Sequence, residues 1–237
     1  TDLGRNIRRA FLASPGHKLV SFDYSQIELR VAALLSGDSK LIKAFKDGED
    51  IHETVAMELF GVEKGKVTKE MRRQAKVLNF GILYGMGVNA LRQNLGASKE
   101  EAQQFYINYF RKFSGLANYL DKVKSEAARR GYTETYFGRR RYFPELRSPL
   151  PYIASAAERM AVNAPIQGTA ADIIKLAMAK CDEVKDAYLL LQIHDELVYE
   201  VPEGKVEEAA PIIKKKMEEV LKTSIPFTVN ATVSDHL

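Results

Sequence analysis

The sequence predicts an α+β fold in which β-type segments near both ends of the chain enclose a long helical insert. Three observations carry that expectation. Residues 18–24 (KLVSFDY) form an apolar, β-rich run that ends at an acid, and residues 39–130 carry helical spacing almost throughout. Residues 188–201 hold two short apolar runs on either side of His194-Asp195-Glu196.

Taken in order, the first run reads as a buried strand, after which Ser25 caps a helix that continues through IELRVAALL to a stop at Gly37-Asp38. The helical stretch that follows is broken at Gly48, Gly61 to Gly65, Gly85 to Gly87, Gly96 and Gly115, and it reads as an inserted subdomain. Residues 131–144 alternate β-formers around Gly138 and predict a hairpin; residues 155–181 return to helix despite Pro165. A charged amphipathic helix over about residues 205–222 and a last strand near residues 227–233 close the chain.

Composition sets outer limits. A chain of 237 residues that is 46% hydrophobic has material for one large core or two smaller ones, which excludes disorder as its main state. Its longest apolar run is far short of the ~20 residues of a membrane span, and no secretory leader pattern opens it, so a soluble, intracellular protein without membrane partners is expected. With one cysteine, Cys181, and four scattered histidines, any metal has to sit on carboxylates. Thirty-five basic against thirty-one acidic residues leave +4, a mild attraction to polyanions that does not by itself define a nucleic-acid protein.

Two acids follow apolar strands: Asp23 after LVSF and Asp195 after LLLQIH. If the two strands are neighbours, about 4.8 Å apart, both carboxylates can share divalent cations, and hard oxygen ligands suit Mg²⁺ or Mn²⁺. The plainer alternative is that each acid caps a helix or closes a hairpin. Glu196 beside Asp195 weighs toward a cation, because adjacent acids at a turn repel without one.

In MRRQAKVLNFGILYG, Arg72, Lys76, Phe80 and Tyr84 recur at intervals of four, each turned only about 40° from the last. One broad helix face is thus cationic at one end and aromatic at the other, fit for a phosphate chain and for a sugar and base. Aromatics at this spacing more often face a core; against that, Arg72 and Lys76 would extend the same face into the core unpaired, at a cost of several kcal/mol. Gly81 and Gly85 leave room for another backbone or a base. A third set, Arg159, Asn163 and Gln167, offers donors from one helix, either to minor-groove acceptors present at every base pair or simply to solvent.

DYSQIELR (residues 23–30), the R-x-x-x-K-x-x-x-F-G-x-x-Y-G run (residues 72–85) and QIHDELV (residues 192–198) resemble, in order and spacing, the three polymerase motifs of the DNA polymerase I family, family A. The likeness also takes in GDSKLIKAF, DIH at residues 50–52, YFGRRRYFPEL and AAERMAVNAPIQGTAADIIKLAM, and so extends over essentially the whole chain. It implies a right-hand polymerase architecture with the thumb absent: a palm with an antiparallel sheet from residues 1–38 and 149–237, and helical fingers at residues 39–148.

The resemblance also implies roles. Asp23 and Asp195 correspond to the aspartates that hold two Mg²⁺ ions, with Mn²⁺ a substitute, and Glu196 to a supporting acid. Glu28 corresponds to the residue that selects deoxyribonucleotides; His52, Arg72 and Lys76 to triphosphate contacts, Lys76 also as a proton donor; Phe80 and Tyr84 to neighbours of the sugar, base and templating site. Arg159, Asn163, Gln167 and His194 correspond to contacts near the primer-template terminus. The implied partners are primer-template DNA, deoxynucleoside triphosphates and a missing N-terminal portion with the thumb. The implied setting is the bacterial cytoplasm and nucleoid, or an organelle or virus, in replication or repair.

Residues 148–155 (SPLPYIAS) depart from the family pattern, with prolines and apolar residues where polar or basic ones are usual, and the connection over residues 180–188 is compact. Nothing resembles the acidic clusters of proofreading or 5′-nuclease domains. Three readings follow: a DNA polymerase catalytic core, a fragment that binds nucleotide or DNA without efficient catalysis, and a single-subunit RNA polymerase or reverse transcriptase, against which Glu28 and the F-G-x-x-Y-G run argue. Without a thumb, DNA binding is expected to be weak and salt-dependent.

Overall fold

The computed structural model describes residues 7–237; the first six residues of the segment expected at 1–38 lie outside these. The fold is α+β with an antiparallel sheet. The chain divides into two compact units, one formed by residues up to Ile27 together with Ala170–Leu237, the other by Glu28–Thr169.

The first unit is built on a four-stranded sheet of β1 (His17–Tyr24), β4 (Tyr188–Ile193), β5 (Glu196–Pro202) and β6 (Val229–Ser234), in the order β4-β5-β1-β6. Strand β1 is central and antiparallel to both neighbours, with Asp23 opposite Glu196 on one side and Asn230 on the other. Its Leu19, Val20, Phe22 and Tyr24 are buried, as a strand covered on both flanks requires. Phe22 meets Tyr199 edge-on at 5.8 Å, and the Tyr24 hydroxyl donates to the Met217 carbonyl at 2.8 Å, which ties the sheet to helix α9 (Val206–Glu218). Edge strand β4 alternates, leaving Tyr188 and Leu190 exposed.

The second unit contains helices α1 (Ile27–Ser36), α2 (Ser39–Lys46), α3 (Ile51–Phe60), α4 (Lys69–Leu83), α5 (Val88–Leu95), α6 (Lys99–Lys112) and α7 (Ser114–Arg130), the hairpin β2 (Tyr132–Glu134) and β3 (Arg140–Tyr142), and the first part of α8 (Pro151–Cys181). The division of the chain falls inside α1 and α8. Helix starts carry side-chain caps: Asp50 on α3, Thr68 on α4, and Ser98 with Glu101 in a capping box on α6. Gly61 and Gly96 end α3 and α5 in the left-handed conformation (φ 63° at each), as the expected breaks require. Leu78, Leu91 and Ala102 form one apolar cluster with Met86, Phe105 and Tyr106 around it, and Ala127, Phe143, Ala161 and Ala164 form another.

Several boundaries differ from the sequence expectation. Helix α1 starts at Ile27, after a turn of Ser25 and Gln26 with Gln26 at φ 55°, and the Ser25 N–H donates to the Thr228 carbonyl at 2.9 Å. The break between α6 and α7 lies at Phe113, and Gly115 sits inside α7 for another reason: a Cβ there would stand 2.8 Å from Asp38 Cα. Asp38, read only as part of a stop signal, is buried and caps two helices. Its Oδ1 accepts from the N–H groups of Lys40 and Leu41 at 3.0 Å, and its Oδ2 from that of Leu116 at 3.1 Å. Helix α8 begins at Pro151 rather than residue 155, using the proline where its missing N–H costs nothing, and α9 ends at Glu218.

Candidate functional site

The carboxylates of the first unit are placed by main chain. Strand β5 pairs with β1 so that Glu196 faces Asp23, and paired antiparallel residues lie about 4.5–5.5 Å apart at Cα. Asp195 belongs to the two-residue turn between β4 and β5, where His194 takes φ 55°, and the Asp195 carbonyl accepts from the Tyr24 N–H at 3.2 Å. The two strands that the acids follow are not neighbours, because β5 lies between β1 and β4; Asp195 comes beside the end of β1 through the turn that joins β4 to β5. Asp195 does help close a hairpin, whereas Asp23 is an exposed strand residue four positions before α1 starts. Glu196 has a partner that sequence reasoning missed, Arg8, whose Nη2 donates to Oε2 at 3.0 Å.

Among the described residues no three His, Cys, Asp or Glu side chains gather into a self-sufficient metal cage. The donor set still fits Mg²⁺, which keeps several waters and binds through one or two carboxylates plus substrate phosphates. Two aspartates joined through one strand pairing, with oxygen donors only, are that kind of set.

In the second unit, Arg72, Lys76 and Phe80 lie on α4 and Tyr84 is its C-terminal cap. Arg72 and Lys76 are exposed and the two aromatics half-buried, whereas Ala75, Leu78, Asn79, Ile82 and Leu83 face the core. The cationic and aromatic stripe is thus the helix's outer face. Phe80 and Tyr84 stack with centroids 6.1 Å apart, and Lys76 Nζ stands 6.0 Å from the Phe80 ring centre. Arg72 and Lys76 are thus not stranded in a core. Arg72 Nε donates to Asp50 Oδ2 at 2.5 Å, and with these side chains 46% and 28% exposed the pair adds only about 0–1 kcal/mol. Burial pushes the Asp50 carboxyl upward, but Arg72 and the α3 N–H groups outweigh it and hold it below the usual range.

His52, on α3, is buried, with its ring 5.7 Å from that of Phe80. Burial first, and then the Arg72 and Lys76 charges, push its pKa down to about 4 against an opposing pull from Asp50. Asn79 Nδ2 donates to His52 Nδ1 at 3.0 Å; His52 Nε2 and Asn79 Oδ1 are both buried without a partner. Each orphan costs about 1–3 kcal/mol. Asn79 and Asp50 carry no role in the sequence reading, although D-x-x-E at residues 50–53 is a helix-start signature that marks the latter.

The Tyr84 hydroxyl donates to Glu28 Oε2, and the Tyr84 carbonyl accepts from Asn163 Nδ2 at 3.4 Å, so α8 and α1 both reach the end of α4. The room expected beside two glycines is already taken. Met86 Cε lies 2.3 Å from where a Gly81 Cβ would be, and Arg159 Cγ 3.1 Å from that of Gly85. Arg159 and Gln167 are exposed and Asn163 half-buried. Arg159 also lines a cavity of about 360 Å³ with Ile82, Tyr106, Phe110 and Glu158. On the β2–β3 hairpin, Tyr136, Phe137 and Tyr142 are exposed beside Arg139, Arg140 and Arg141, with Arg140 4.8 Å from the Tyr132 ring centre.

Asp23, His194, Asp195 and Glu196 therefore lie in one unit, and Glu28, His52, Arg72, Lys76, Phe80, Tyr84, Arg159, Asn163 and Gln167 in the other. No helix among the described residues is long and apolar enough to cross a membrane.

The sequence model of DNA polymerase family A matches residues 1–237. The thermostable DNA polymerase I of Thermus aquaticus is 49% identical over 238 residues, covering 99% of this chain and 29% of the relative. DNA polymerase I of Streptococcus pneumoniae is 47% identical over 233 residues, covering 95% and 27%. Among solved structures, the POL domain of Pol1 from M. smegmatis, in complex with DNA primer-template and dNTP, matches with a TM-score of 0.94 and 44% identity, over all of this chain and 43% of that one. The chain spans less than a third of the length of these curated relatives.

Proposed function

The chain belongs to DNA polymerase family A, and from that premise we propose that it is a template-directed DNA polymerase catalytic core, adding deoxynucleotides to a primer 3′-OH. Residues 1–38 and 149–237 act as palm and residues 39–148 as fingers. The observation that carries the reading is the main-chain link between the two aspartate segments, Asp23 opposite Glu196 and Tyr24 N–H on the Asp195 carbonyl, in a chain with an outward cationic and aromatic helix.

The reaction joins the primer 3′-oxygen to the α-phosphorus of the triphosphate, breaks the bond to the bridging oxygen and releases pyrophosphate. Asp23 and Asp195 would hold two Mg²⁺ ions, or Mn²⁺ in their place, with Glu196 in support. Bound there, such ions favour ionisation of the attacking hydroxyl and stabilise charge on the entering and leaving oxygens. Lys76 and Arg72 offset charge on the leaving phosphates, and Lys76 is placed to return a proton to pyrophosphate. Arg72 has to exchange Asp50 for a phosphate, a small cost because the pair is exposed. Phe80 offers its outer face to the sugar and base, and Tyr84 borders the templating position. Glu28 crowds the sugar C2′, while Arg159, Asn163, Gln167 and His194 contact the primer-template terminus.

Incubation of the chain with primed template, Mg²⁺ and deoxynucleotides tests this directly. Extension above an Asp195→Asn control supports it. Binding of primer-template without extension points instead to a fragment that keeps the fold and lacks the grip for catalysis, and absence of both overturns the reading.

A further inference from the structure

Asn79 is fully buried in α4, about two turns after Arg72 and less than one after Lys76, and among the described residues its one side-chain hydrogen bond goes to a histidine on another helix. We propose that Asn79 is a positioning residue: by donating from Nδ2 to His52 Nδ1 at 3.0 Å it fixes the imidazole as the Nε2–H tautomer, so that His52 offers a single, pre-aimed donor to a phosphate oxygen of the incoming nucleotide. The inference rests on the nucleotide-binding reading of α4 given above and adds to it the residue that sets the form of His52.

An amide NH₂ has hydrogens and no lone pair to give, so the nitrogen that receives it must be the bare one, and the ring proton falls on the other. Exposures of 1% for His52 and 0% for Asn79 keep water from competing for the bond between them. The Nε2 donor so created has no acceptor among the described residues. A pair kept only for packing gains nothing from that, since two apolar side chains of the same shape would leave no orphan. An acceptor that arrives with a ligand does gain. The surroundings point to an anion: the Phe80 ring is next to the imidazole, and Asp50, Arg72 and Lys76 are the charged groups around it. Burial together with the two cations keeps the ring neutral at neutral pH. Its tautomer, not its charge, then decides what it can offer.

Two measurements on the full chain test this. The first is long-range proton–nitrogen correlation on imidazole-¹⁵N-labelled protein at pH 7 without nucleotide, with His52 assigned by its loss in His52→Gln. It should give the Nε2–H pattern; an Nδ1–H pattern means the amide is turned the other way and overturns the proposal, whatever the activity of the chain. The second is a double-mutant cycle read by primer extension. Asn79→Leu should raise KM for the deoxynucleotide about tenfold, the size expected for one lost hydrogen bond to a charged group, with kcat little changed. In a His52→Gln background the same substitution should add nothing further. An equal loss in both backgrounds makes Asn79 a packing residue and overturns the proposal. If the unaltered chain neither binds nucleotide nor extends primers, the functional reading fails, while the tautomer measurement still decides what Asn79 does to His52.

Discussion

In the sheet unit, Asp23 and Asp195 are placed by strand register and main-chain hydrogen bonds, whereas in the helical unit His52, Arg72 and Tyr84 are placed by side-chain partners on other helices. Backbone placement sets where a segment lies without calling on its side chains, so a carboxylate can be altered while the strand pairing stays. Side-chain placement makes one residue do two jobs. Asp50 caps α3 and holds Arg72, Tyr84 ends α4 and holds Glu28, and Asp38 caps α2 and α7 together. Function and stability should therefore separate in the first unit and travel together in the second.

The largest expected effect tests the first half of that contrast. Asp23→Asn or Asp195→Asn should lower nucleotide addition by about 10³-fold or more, since metal-borne charge stabilisation is worth several kcal/mol. Urea midpoints should stay within experimental scatter of the unaltered chain, because the β1–β5 hydrogen bonds are untouched. An active Asn variant breaks the metal assignment; an inactive but unfolded one shows that the carboxylate also holds the sheet unit together.

Asp38→Ala is the counterpart in the helical unit. It leaves three N–H groups at two helix starts without their acceptors, and at about 1 kcal/mol per cap with some added loss for burial the stability should fall by about 2–3 kcal/mol. Chemical denaturation followed by circular dichroism measures it. Gly115→Ala should act in the same direction, through a Cβ pressed against the Asp38 backbone.

Acid provides a third and somewhat smaller test. The unfolded chain titrates His52 near its ordinary 6.5 and the folded one near 4, so between those values the unfolded chain binds a proton that the folded chain does not. That contribution is fully present above pH 6.5 and is lost as pH falls through about 4, with roughly 2 kcal/mol of the loss falling between pH 7 and about pH 4.5. Denaturation midpoints at pH 7 and pH 4.5 should differ more in the unaltered chain than in His52→Gln. Equal differences would show that His52 is not held neutral by its buried position.

How much of this was legible in the sequence follows from the same contrast. Strand alternation and the three spaced motifs led to β1, the β4–β5 hairpin, the β2–β3 hairpin and the outer stripe of α4, because each is a local pattern in the chain. The main-chain tie of Ser25 to Thr228, about two hundred positions away, leaves no local signal. Gly115 was mistaken for a breaker because its reason, Asp38, lies on a different helix. Asn79 stayed invisible among Leu78 and Phe80 for the same cause: its partner is 27 residues earlier. Local signals reveal faces and turns, and pairings between helices require coordinates.

The smallest effect bears on the pairing of Tyr84 with Glu28. Tyr84→Phe keeps the ring, its stacking on Phe80 and the carbonyl that Asn163 uses, and deletes only the hydroxyl that donates to Glu28. Stability should fall by about 1 kcal/mol, the usual net worth of one hydrogen bond. If Glu28 excludes ribonucleotides by standing at the sugar C2′, its position matters as much as its bulk. Loosening it should raise ribonucleotide incorporation relative to deoxynucleotide a few-fold, while Glu28→Ala, which removes the bulk, should raise it much further. Single-nucleotide incorporation with matched ribo- and deoxyribonucleoside triphosphates measures both ratios. An unchanged ratio in Glu28→Ala removes Glu28 from the sugar gate altogether. A changed ratio there with none in Tyr84→Phe means Glu28 is held by other contacts, and the rule that this unit places its functional groups through side-chain partners has an exception at the residue where it was expected to matter most.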